Sequence, residues 1–237
     1  MVGSIIFAVL CMVITLIFCW LRSSKATFYS LTLKILASLC FIFSAIIALS
    51  LIGFDSTVGI LILVGLICGL AGDILLDLKV MYPAKNDVLF LTGTMSFAIG
   101  HVFYFVALLL INISTNTMAL AWAIPVSVVL AVGLTLIILF SSKKMGMDFG
   151  KVKWAVIGYS LILSFMFFYS VCVAILSPMV WIFAAGMLVF LLSDLILSMQ
   201  YFGGKTQKSF IYYNHILYYL AQVMFALFIL FGLWLQR

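Results

Sequence analysis

Eight stretches of the chain stay apolar for about 20 residues, the length a helix needs to cross a hydrocarbon core. They lie near 4–21, 28–52, 57–76, 89–111, 118–140, 152–176, 179–199 and 210–234. Only short connections remain between them, so residues 1–237 are expected to form a single transmembrane domain. Composition points the same way. Of the residues, 68% are apolar and 8% charged, against roughly 25% charged in a soluble domain. A chain with so few charges cannot cover a water-facing surface. The expected fold is all-α, a polytopic membrane protein of eight transmembrane helices.

The distribution of positive charge orients these helices. Counted along the chain, the odd connections carry Arg22 and Lys25, then Lys79 and Lys85, then Lys143, Lys144, Lys151 and Lys153, then Lys205 and Lys208. The even connections carry no Lys or Arg. The positive-inside rule then places the odd loops in the cytoplasm and both termini, including Arg237, outside. Trp20, Trp122, Trp154, Trp181 and Trp234 stand at span ends, where interfacial anchors belong. The net charge of +6 is thus accounted for by topology, and nucleic acid is not an expected partner. In a bacterium such a protein would sit in the cell (inner) membrane. With no basic segment before the first apolar run, no cleaved signal peptide is expected. Cys11, Cys19, Cys40, Cys68 and Cys172 all fall within spans, without CxxC spacing, and read as small packing residues.

Against this apolar background the six acidic residues, all Asp, stand out. Asp73 and Asp194 lie about one turn inside the cytoplasmic ends of spans three and seven, where an ionisable group usually faces a cavity and serves a function. Their surroundings repeat: GLICGLAGDILLDL begins at Gly65 and GMLVFLLSDLILSM at Gly186. Counting 28 residues on from each Asp reaches His101 in span four and Gln222 in span eight. Two parallel four-span halves would give this spacing and would set Asp73 opposite Asp194 at similar depth. Lys34 enters span two from the same side, as either a structural counterion or part of a site. Asp77, one turn beyond Asp73, is expected to reach the headgroup region. Gly93, Phe97, His101 and Tyr104 share one helical face. Tyr218 and Gln222, one turn apart, can line the same cavity. His215 has no motif around it and is expected to face the interface.

At these residues the chain resembles the YhhN-type lysoplasmalogenase family of membrane proteins. The resemblance rests on GDILL at Gly72–Leu76, FLTGTMSFAIGHVFY at Phe90–Tyr104, GMLVFLLSDLILSMQYF at Gly186–Phe202 and YYLAQ at Tyr218–Gln222. Two departures are visible. Lys34 is followed by Ile35 rather than proline, and Asp77 stands where an apolar residue is expected. The resemblance implies hydrolysis of the 1-alkenyl ether of a lysoplasmalogen to a fatty aldehyde and a glycerophospho-alcohol. A vinyl ether is cleaved by protonation at its β-carbon, followed by capture of the oxocarbenium ion by water. That chemistry needs a carboxylic acid and a nearby anion, the two roles that glycosidases also give to paired carboxylates. Asp73 and Asp194 can divide these roles, and the sequence leaves open which is the acid. Lys34 would bind the phosphate or hold one Asp ionised. His101 and Tyr104 would position water or the ether oxygen, and Ser193, Tyr218 and Gln222 would contact substrate. No metal or other cofactor is required, and membrane lipids are the expected surroundings. Oligomeric state and headgroup preference are left open. A proton-coupled transporter is the competing class, since mid-membrane Asp and His are common there. Its broken helices have no counterpart here, because Pro83, Pro125 and Pro178 all lie near loops. A non-catalytic lipid-binding protein is a third reading.

Overall fold

The computed structural model describes residues 1–24, 28–82, 86–205 and 207–233. Of the residues that bear on topology, Lys25, Pro83, Lys85, Trp234 and Arg237 lie outside these ranges. The described residues form helices and connections, with no strand. The α-helices are α1 (Val2–Ser24), α2 (Phe28–Ile52), α3 (Thr57–Met81), α4 (Asn86–Asn116), α5 (Leu120–Lys144), α6 (Lys153–Leu176), α7 (Trp181–Phe202) and α8 (Lys208–Leu227).

Among the described residues seven helical runs are long and apolar enough to cross a membrane, because α4 and α5 join into one run of 59 residues, Asn86–Lys144. Straight, it would measure about 90 Å, roughly three times the hydrocarbon thickness. It is not a regular helix throughout. Asn116 is extended (φ −161°, ψ 96°), and its side-chain oxygen accepts the Met118 N–H at 3.1 Å, capping the short turn Thr117–Ala119 that leads into α5. Beyond this break α5 packs on α6, and α6 in turn packs on α4 and α7.

Consecutive helices make the closest pairs: α1 with α2, α3 with α4, α5 with α6 and α7 with α8. The last helix occupies the middle of the molecule, touching α1, α2, α3 and α7. Small residues set the closest approach. A Cβ on Gly100 would lie 3.0 Å from the Gly65 carbonyl oxygen, so α3 and α4 meet nearly backbone to backbone. Gly65 also receives the ring of Tyr104, and at the matching place in the second half Gly186 receives the ring of Phe225. These two rings follow His101 and Gln222 by the same three residues.

Candidate active site

One cavity of about 400 Å³ lies among the helices at the end of the molecule that carries the α5–α6 connection. Asp73 from α3 and Asp194 from α7 both line it, as do Lys34 and Arg22. Most of the remaining lining is apolar, with Leu134, Ile137 and Ile138 of α5 opposite Phe90 and Phe97 of α4. Met145, Met147 and Phe149 of the α5–α6 connection also line it. That connection is held down by the Asp148 N–H, which donates to the Phe202 carbonyl at 3.1 Å, and by the edge contact of Phe149 with Phe202 at 4.9 Å. Gly146 allows the turn with a φ of +69°, which L side chains rarely adopt.

The charges at the cavity form a network. Lys34, 4% exposed, sits between two carboxylates, with its Nζ 3.3 Å from Asp73 Oδ1 and 3.3 Å from Asp77 Oδ1. Asp73 Oδ2 accepts hydrogen bonds from Ser38 Oγ at 2.7 Å and Tyr218 OH at 2.9 Å. Ser38 is one turn beyond Lys34 on α2, which puts the cation and the hydroxyl on one face. Tyr219, beside Tyr218, donates to the Lys34 carbonyl at 3.0 Å and so ties α8 to α2.

Asp77, expected to reach the headgroup region, is turned into the bundle. It is 3% exposed, and Arg22 clasps both its oxygens through Nη1 at 3.2 Å and Nη2 at 3.3 Å. The physical reason is local. A carboxylate one turn outside Asp73 still faces the bundle, and the guanidinium of α1 and the ammonium of α2 both come within reach of it. Charge-assisted pairing of this bidentate kind offsets part of the cost of burial.

Asp194 has fewer partners. Half-buried, it accepts one hydrogen bond, from Tyr159 OH to Oδ2 at 2.8 Å. Its neighbour Ser193 is locked to α8: its Oγ donates to the Asn214 carbonyl at 3.1 Å, and Asn214 Nδ2 donates to the Ser193 carbonyl at 2.8 Å. His215, expected at the interface, instead lines the cavity and meets Phe18 edge-on at 4.8 Å.

The sequence-derived candidates separate into two groups. Asp73, Asp194, Lys34, Ser193 and Tyr218 meet at the cavity. His101, Tyr104 and Gln222 do not line it. His101 Nδ1 bonds to the carbonyl of Phe97 on its own helix at 2.7 Å, and its ring stands edge-on to Tyr104, Tyr159 and Phe190. Gln222 lies against Gly69, and Tyr104 against Gly65, one further turn along α3. These three residues lie deeper than the aspartates and form an aromatic and amide layer behind the cavity. Sequence reasoning missed Tyr159, Ser38, Asn214 and the ionic role of Arg22. Ser38 had a usable signal in its spacing from Lys34, whereas nothing marks Tyr159 in an apolar span.

The model of the YhhN family matches residues 29–229. The chain belongs to the YhhN family. No curated protein and no solved structure matches it. The YhhN match includes Lys34, Asp73, Tyr159, Asp194 and Tyr218, so Asp73, Asp194 and their hydroxyl partners on α6 and α8 belong to the shared segment. Arg22 precedes that segment. The long apolar helices make this YhhN-family chain a multi-pass integral membrane protein.

Proposed function

We propose that this YhhN-family protein is a lysoplasmalogenase, hydrolysing the 1-alkenyl ether of a lysophospholipid to a fatty aldehyde and a glycerophospho-alcohol. One observation carries the reading: Asp73 of α3 and Asp194 of α7 line a single cavity, beside Asp77 in its ion pairs with Arg22 and Lys34, and the other walls are largely apolar. An apolar cavity suits an alkenyl chain, and two carboxylates suit a reaction that needs a proton donor and a counter-anion for an oxocarbenium ion. Of the two roles open to Lys34, its contacts favour the counterion over the phosphate ligand, because Asp73 and Asp77 already occupy its ammonium. His101, Tyr104 and Gln222 act as the wall behind the site and not as substrate ligands. Taken as two crossings, α4 and α5 give eight spans, with both termini outside and the cavity on the cytoplasmic side.

The chemistry predicts bond specificity. A saturated ether cannot be protonated at carbon, and an ester asks for a strong nucleophile or an oxyanion hole. Purified protein should release aldehyde from 1-alkenyl lysophospholipid and leave the 1-alkyl and 1-acyl analogues intact. Equal turnover of the acyl lipid would refute the mechanism, and no release from any of the three would favour the transporter reading.

A further inference from the structure

Asp77, the third aspartate of the cavity, is held by Arg22 and Lys34; Asp73 and Asp194 live in unlike surroundings, and the difference bears on their roles. Asp73 is 2% exposed and receives the Lys34 ammonium at one oxygen and two hydroxyl donors at the other. Lys34 offers only protons, so its contact with Asp73 requires an acceptor on the facing oxygen. Asp194 has no cation within ion-pair distance among the described residues, and one neutral donor, Tyr159. That donor occupies Oδ2, so a proton carried by Asp194 belongs on Oδ1, the oxygen that receives no protein donor.

We infer that Asp194 is the proton donor and Asp73 the standing anion, with Tyr159 as the positioning residue that holds Asp194 Oδ2. The inference rests on the two-carboxylate reading above. In the first step the Oδ1–H bond breaks, and the π pair of the alkenyl C=C forms the new C–H bond at the β-carbon. The positive charge left across the α-carbon and the ether oxygen is offset by Asp73. The oxygen of a water molecule then bonds to the α-carbon and passes a proton to Asp194, which restores the acid. Finally the hemiacetal breaks its bond to the glycerol oxygen. That oxygen gains a proton as the hemiacetal hydroxyl loses one, and the products are alcohol and aldehyde.

The test is infrared spectroscopy of the resting, purified protein in lipid nanodiscs, which reads the C=O stretch of a protonated carboxylic acid without any turnover. The wild type should show such a band at neutral pH. Asp194→Asn should abolish it and Asp73→Asn should keep it. Tyr159→Phe, which removes the hydrogen bond to Oδ2, should shift it to higher frequency, a change that a merely structural tyrosine would not produce. Loss of the band in Asp73→Asn with survival in Asp194→Asn would reverse the roles and overturn the inference. So would a wild type with no band, or a Tyr159→Phe band that stays in place, and this last variant carries the test if Asp194→Asn does not fold. Because no substrate is present, a failure here is separate from a failure to release aldehyde.

Discussion

Replacing Asp73 or Asp194 by asparagine keeps its size and its capacity for hydrogen bonds while removing its charge and its proton. General acid catalysis alone contributes roughly 10²–10⁴-fold. Asp73→Asn and Asp194→Asn should therefore each lose at least about 10²-fold in aldehyde release. The double variant should be barely slower than either, because the pair acts as one unit. Asp77 is a different case. From sequence alone it looks peripheral, one turn towards the headgroups. The bidentate clasp of Arg22 reverses that expectation. Asp77→Asn leaves a guanidinium whose side chain is 13% exposed without its carboxylate, and breaking a buried pair from one side costs about 3–5 kcal/mol. Thermal unfolding should show a large loss for Asp77→Asn and for Arg22→Met, and a smaller one for the combined Arg22→Met, Asp77→Leu chain. If the combined chain is the least stable, the pair has a role beyond mutual neutralisation. Asp73, Asp194 and Lys34 were legible as candidates because each is a charged interruption in an apolar run, and Tyr218 because it stands one turn from Gln222. Tyr159 was not, since a tyrosine in such a run is ordinary and only its contact with Asp194 distinguishes it.

At the scale of elements, the helices outlast the apolar runs that signal them. Span three reads as apolar to about residue 76, yet α3 continues to Met81. Asp77 and Lys79 extend it because both find partners: Asp77 in Arg22 and Lys34, and Lys79 over the Tyr201 ring at 3.4 Å. Hydropathy sees only the lipid-facing preference of a residue and not the partner across the bundle. The glycines make a second element-scale contrast. Tyr104, packed against Gly65, is itself hemmed in by Phe183 at 5.4 Å and Phe225 at 5.0 Å, so its ring has no room to yield. Gly65→Ala should cost about 1–3 kcal/mol, the usual penalty of overpacking. At Gly133 in α5 an added methyl group would meet nothing within 4 Å, and Gly133→Ala should be neutral or add up to about 1 kcal/mol. Unfolding midpoints in one detergent decide both, and an equal response at the two sites would contradict the packing described for the α3–α4 seam.

For the whole molecule the decisive question is how the 59-residue run from Asn86 to Lys144 crosses the membrane. With two crossings, the four lysines between Lys143 and Lys153 lie inside and both termini lie outside. Reporter fusions near Gly146 and after Arg237 should then give opposite signals, and a cytoplasmic C-terminus would remove one crossing. Class and polytopic architecture were legible because apolar runs, basic loops and tryptophans are all local signals. The cavity was legible only in outline. Which residues line it depends on how far each helix is rotated and how deep it sits, and the sequence carried that information for the repeat-related positions alone. His101 and Gln222, matched to Asp73 and Asp194 by spacing, lie behind the cavity because they sit deeper than those aspartates.

The ties around Lys34 have a consequence for how the chain is made. They join Arg22 of α1, Lys34 and Ser38 of α2, Asp73 and Asp77 of α3, and Tyr218 and Tyr219 of α8. The first three helices leave the ribosome carrying all four charges, and these can neutralise one another at once. The tyrosine hydroxyls arrive only after nearly the whole remaining chain has been synthesised. Until then the carboxylate of Asp73 lacks one of its donors, and the slot that α8 fills between α1, α2, α3 and α7 stands open. Assembly therefore closes from both ends of the chain, and the helix translated last completes the ring of contacts begun by the first three. A nascent chain that stops short of Lys208 retains every ionisable group assigned to catalysis and lacks the helix that organises them.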